Sequence, residues 1–74
     1  MIEETINEVV SNYLEGKDLS ELDTILELNK WAIGFCKHLG EIRPMPYVVE
    51  TVMDAVRENT GEYWEEFVKP VFRA

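Results

Sequence analysis

A chain of 74 residues with a formal charge of −8 has room for one domain around one small core. The usual staples are missing, because Cys36 has no partner for a disulfide, and Cys36 with the single histidine, His38, cannot close a zinc site. With 46% of the residues apolar, including Trp31, Trp64, Tyr13, Phe35 and Phe67, the composition also excludes a disordered tail, so a single helical domain over 1–74 is expected, held by packing and aided by self-association or a partner.

The charge is unevenly distributed. Residues 1–29 hold eight acids (Glu3, Glu4, Glu8, Glu15, Asp18, Glu21, Asp23, Glu27) against Lys17, whereas the rest of the chain holds seven acids against six bases. Such a field repels nucleic acid and anionic membranes and attracts basic surfaces; at the least, it keeps a small domain soluble. The segment Met1-Ile2-Glu3-Glu4 is acidic where a secretory leader would be basic, and no apolar run is long enough for a span. The expected location is cytoplasmic, the host cytoplasm if the chain is phage-encoded.

In chain order, the spacing predicts a first helix over 2–15. Ile2, Ile6, Val9, Val10, Tyr13 and Leu14 lie on one face, Glu4, Glu8, Ser11 and Glu15 on the other, and Gly16 is a natural stop. A second helix is predicted over 19–39, where Asp18-Leu-Ser-Glu21 reads as a capping box and Gly40 ends the run. Its apolar face comprises Leu22, Ile25, Leu26, Ala32, Ile33, Cys36 and Leu39, widened by Leu28, Trp31 and Phe35 to more than half the girth. A helix apolar over so much of its surface is expected at the centre of a fold.

Pro44 and Pro46 interrupt the helical pattern, and Pro46 suits the first turn of a third helix over 46–59. Val48, Val49, Val52, Met53 and Val56 form its inner stripe, while Tyr47, Glu50, Asp54, Arg57 and Glu58 face outward. A fourth helix is predicted over 62–72, with Tyr63, Trp64, Phe67 and Val68 on its apolar side and Pro70 either ending it or starting a last turn. Four helices with short breaks give an all-α, compact, four-helix bundle-like domain.

Candidate chemistry is sparse. Cys36 and His38 stand two residues apart on one helix, so their side chains diverge and form no nucleophile–base pair. Carboxylate pairs such as Asp23 with Glu27 fall on solvent faces without a Glu-x-x-His, so no metal is expected. No cofactor is expected either. Acyl carrier proteins resemble the chain in size, acidity and helicity, and Leu22-Asp23-Thr24 with Glu27-Leu28 echoes their attachment segment. Glu21, however, stands where the attachment serine belongs, which excludes that reading. As a helix-turn-helix reader, the third helix would present Tyr47, Glu50, Asp54 and Glu58 against Arg57 alone, the wrong sign for phosphate. The chain is therefore expected to be neither an enzyme nor a direct binder of nucleic acid.

Taken as a ligand, the acids read differently. Glu4, Glu8 and Glu15 stand about 6 Å and then about 10 Å apart along a helix edge, and Asp18, Glu21, Asp23 and Glu27 continue the ridge. Such a row imitates a phosphate backbone toward a basic protein surface, and the partner expected from it is a protein with such a surface, a nucleic-acid-handling complex among the candidates. In kind, without an alignable motif, the chain is similar to small acidic helical inhibitors such as phage anti-restriction and anti-CRISPR proteins or bacteriocin immunity proteins. The similarity implies a protein-binding inhibitor that acts by acidic mimicry. The alternative expectation is a regulatory adaptor or homodimeric assembly subunit, binding through Trp31, Gly34, Phe35, His38 and Trp64.

Overall fold

A computed structural model describes residues 2–72, apart from the side chain of Ile2, whose expected apolar role lies outside the described residues. The described residues are all-helical: α1 (Ile2–Leu14), α2 (Leu22–Leu39), α3 (Met45–Thr60) and one π-helical turn, α4 (Trp64–Val68). None of the described helices is long and apolar enough to cross a membrane.

The three long helices form an up-down-up arrangement. Gly16 takes a positive φ of 77° and ends α1 in a left-handed turn, which a glycine adopts without a Cβ penalty. The short links 15–21 and 40–44 fold α2 back against its neighbours. A Cβ at Gly40 would stand 2.5 Å from the terminal methyl of Met45, the far end of a flexible, exposed side chain that is free to move aside. The α1 and α3 helices run in the same direction. Tyr47 meets Glu3 near both N-termini, and Asn59 meets Asn7 farther along.

The core collects Ile6, Val10 and Leu14 from α1, Ile25, Leu28, Ala32 and Cys36 from α2, and Val48, Val52, Ala55 and Val56 from α3. Val68 and Phe72 close the remaining end. Thr60, a buried polar residue, donates its hydroxyl to the Val56 carbonyl at 2.8 Å, so it enters the core with its donor satisfied.

Four sequence expectations are corrected. First, the central helix is α3, not α2: α3 packs against α1, α2 and α4, whereas α1 and α2 do not bring their backbones together. Valine-rich faces let neighbouring backbones approach α3 closely, and large aromatics on α2 hold its neighbour at a distance. Second, α2 begins at Leu22 rather than 19. Asp18 turns its carboxylate onto the Ser20 amide (3.0 Å) and hydroxyl (2.6 Å), a local turn that competes with the predicted cap, and Glu21 takes the cap position without a side-chain bond.

Third, Leu22 and Leu26 are 58% and 45% exposed rather than buried. The inner face of α2 is centred on Ile25, Leu28, Ala32 and Cys36, with Trp31 and Phe35 on one flank and the two leucines on the other. Fourth, the helix expected over 62–72 is reduced to the π turn, closed by the Lys69 amide on the Trp64 carbonyl at 2.7 Å. Pro70 follows it, and the Val71 and Phe72 amides both return to the Val68 carbonyl, which drives Phe72 inward. Tyr63 and Phe67, expected on the apolar side, stay exposed against each other with ring centroids 5.9 Å apart.

Candidate functional site

The acidic surface is assembled from two helices that are distant in sequence. An open groove of about 390 Å³ runs between α1 and α3, lined by Glu3, Glu4, Asn7, Tyr47, Glu50, Thr51, Asp54, Ala55 and Glu58. Parallel packing of α1 on α3 produces this juxtaposition, because it sets the N-terminal acids of α1 beside the acid row of α3. Glu50, Asp54 and Glu58 recur every fourth residue and so share one outward flank. The α1 helix carries Glu3, Glu4 and Glu8 without a base, and on α3 the base is Arg57, bonded to Asp54 at 2.9 Å.

One end of the groove is fixed by the Tyr47 hydroxyl, which donates to Glu3 Oε2 at 2.8 Å. The Glu3 carboxyl is held below its ordinary value, first by a backbone amide and then by the Tyr47 hydroxyl. Burial, and then the Glu3 carboxylate that accepts its proton, push the Tyr47 phenol up. Farther along, Asn59 Nδ2 donates to Asn7 Oδ1 and to the Ala55 carbonyl at 2.8 Å, which ties the two helices in register.

The structure distributes the predicted ridge as follows. Glu4 lines the α1/α3 groove, and Glu15 lines a second groove with Ser11, Asn12, Leu14 and Asn59. Glu8 is exposed on α1. Asp18 and Glu21 occupy the link to α2, where the Ser20 bonds lower the Asp18 pKa. Asp23 and Glu27 are exposed on the first turns of α2, and the Glu27 charge, after burial, helps raise the Tyr13 pKa.

The residues of the alternative surface are not one exposed patch. Trp31 is half-buried in a stacked ladder, with Tyr13 at 4.2 Å on one face and Phe35 at 5.1 Å on the other. Lys17 caps this ladder, its ammonium 4.4 Å from the Tyr13 ring centre. Trp64 is half-buried edge-on against Phe72 at 6.0 Å. His38 is exposed, and Gly34 is exposed with nothing within 4 Å of where its Cβ would be, so intramolecular packing does not require glycine there.

Sequence reasoning missed Glu50, Asp54 and Glu58 as neighbours of Glu4, and Leu22 and Leu26 as surface. The period of the α3 acids was visible, but the pairing of α3 with α1 was not.

Cys36 is buried, and burial pushes its thiol up, away from a reactive thiolate. Among the described residues no group of three or more histidines, cysteines or acids is arranged to hold a metal ion. No protein-family model, curated protein or solved structure matches the chain.

Proposed function

We propose that this chain is a non-enzymatic protein-binding inhibitor that occupies a basic, nucleic-acid-binding surface of a host complex by acidic mimicry, a phage-type anti-defence role. The observation that supports this reading is the pairing of acids across the α1/α3 groove, with Glu3 and Glu4 on one wall and Glu50, Asp54 and Glu58 on the other. Two carboxylate rows on rigid helices offer a basic channel two flanking lines of negative charge, as a duplex does with its two phosphate strands. Because phosphate contacts dominate non-specific nucleic-acid affinity, a surface built for them has little means of rejecting such a ligand.

The proposed contact centres on the exposed acids Glu4 and Glu8 of α1 and Glu15 just past its end, with Glu50 and Glu58 of α3 added to the ridge. Asp18 and Glu21 extend it around the end of α1. The partner is a protein with a basic surface. The adaptor reading is less favoured, because Trp31 and Phe35 already stack within the chain.

The test is a tagged pull-down from nuclease-treated bacterial lysate, repeated with Glu4→Lys/Glu8→Lys/Glu15→Lys and with Glu50→Lys/Glu58→Lys. Recovery of a nucleic-acid-binding complex that added DNA or raised salt displaces, and that both variants fail to recover while keeping native helix content, supports the inhibitor. Equal recovery by the variants, or a partner that resists both salt and DNA, overturns it.

A further inference from the structure

We propose that a second copy of this chain docks on α2, antiparallel, through the exposed strip formed by Leu22, Leu26 and Ile33. At about 100° per residue these three side chains point within about 40° of one another, offset from the buried line Ile25, Leu28, Ala32 and Cys36. Leu22 and Leu26 are more exposed than any other large apolar side chain of this helix, at 58% and 45%, and Ile33 is half-buried beside them. Nothing in the core requires leucine at either position. A strip of this kind facing water is best explained by a surface that covers it.

Charge identifies the cover as a second copy. Two chains of charge −8 repel, and they can meet only where each is locally neutral. Among the long helices α2 alone meets that condition, because Asp23 and Glu27 are matched by Lys30 and Lys37, whereas α1 and α3 are both net acidic. The neutral helix is also polarised along its length, with both acids N-terminal to both lysines. An antiparallel partner lays the acidic end of one α2 along the basic end of the other.

A dyad passing near Asn29 and Lys30 pairs Leu26 with Ile33 of the partner subunit, about 5 Å from the dyad along each helix axis, and Leu22 with the stem of Lys37 of the partner subunit at about 11 Å. The same dyad brings Asp23, on the flank of the strip, toward Lys37 of the partner subunit, while Glu27, which points about 120° from the strip, adds to the pairing through its field. The contact is isologous and closes at two copies, and it sets the two helix dipoles side by side and antiparallel. It does not rest on the inhibitor reading. It does assign Asp23 to self-contact, which leaves the α1/α3 acids of both copies facing outward.

Charge-swapped variants test the pairing by sedimentation over about 10 µM to about 1 mM, the range in which a small interface associates. The wild type is expected to gain mass toward twice 8.6 kDa as concentration rises. Asp23→Lys/Glu27→Lys and Lys30→Glu/Lys37→Glu, each confirmed helical, are each expected to self-associate at least tenfold more weakly. A one-to-one mixture of the two regains association, because each supplies what the other lost. Leu26→Glu, at a position the core does not use, is expected to remain a monomer. A wild type that stays monomeric throughout overturns the proposal, as does a mixture no tighter than its separate components or a Leu26→Glu protein that associates like wild type.

Discussion

Packed on the same central helix, α1 and α2 are held in different ways. The α1 helix lies close along α3, with Ile6, Val10 and Leu14 against a valine surface and polar ties at Tyr47–Glu3 and Asn59–Asn7. The α2 helix commits only a narrow line to the core and reaches α1 through the stacked Tyr13, Trp31 and Phe35 rings. What each leaves outside follows from this difference. The α1/α3 side spends its apolar residues inward and shows solvent a wall of carboxylates. The α2 side has more apolar residues than the core accommodates and shows solvent a neutral, partly apolar strip. One face is therefore suited to charge, the other to contact.

Two leucines only two residues apart on α2 offer the sharpest way to break this comparison. Leu28 is fully buried at 0% exposure, whereas Leu26 is 45% exposed. Leu28→Ala is expected to destabilise the fold by about 2–5 kcal/mol, the usual cost of truncating a core leucine. For a domain of this size that is a large share of the total, so a partly unfolded protein at room temperature is an acceptable outcome. Leu26→Ala is expected to stay within about 0.5 kcal/mol of wild type when measured below the concentration at which copies associate. Urea unfolding of the two variants checks both, and comparable losses would mean that the leucine strip belongs to the core after all.

Gly34 sharpens the comparison from the polar side of the same helix. It lies mid-helix, exposed, and a Cβ at that position meets nothing within 4 Å. Gly34→Ala is therefore expected to stabilise the chain by about 1 kcal/mol, the helix-propensity difference with no steric term to oppose it. The thermal midpoint should rise accordingly. A loss of stability would point to a close approach at Gly34 that the chain alone does not contain. Unchanged self-association in the same variant would separate this polar arc from the leucine strip, which points about 100° away on the helix.

Much of the fold was legible in the sequence because periodicity reports which residues can share a face. The inner stripe of α3, the buried Cys36 and the break at Gly16 all follow from spacing and from glycine's backbone freedom. What periodicity cannot report is where, within a wide apolar arc, the neighbour sits. The α2 arc runs from Leu26 through Ile25 and Leu28 to Trp31, and its centre of mass gave no warning that the leucine flank would face water while the aromatic flank stacked on Tyr13. Competition between local bonds was equally hidden. Asp18 has the right identity and spacing for a cap, yet its carboxylate is taken by Ser20. The groove itself required knowing that α1 lies beside α3, a long-range fact carried by no local pattern, so Glu4 and Glu50 could be recognised as acidic but not as neighbours.

The smallest effect expected concerns the tie at the mouth of that groove. Glu3 is held below the ordinary carboxylate range, first by a backbone amide and then by the Tyr47 hydroxyl. A carboxylate whose folded pKa is depressed contributes above its unfolded value, and that contribution is lost as pH falls through the folded one. The Glu3–Tyr47 link should therefore persist at neutral pH and release in acid, loosening the N-terminal turn of α1 from α3. In Tyr47→Phe the Glu3 titration followed by NMR should move part of the way back up, since the backbone bond remains, and the acid-dependent change in amide protection at the start of α1 should shrink. An unchanged Glu3 midpoint in that variant would mean that the hydroxyl is not bonded in solution, and that Ile6, Val10, Leu14 and the Asn7–Asn59 bond hold α1 along α3 without it.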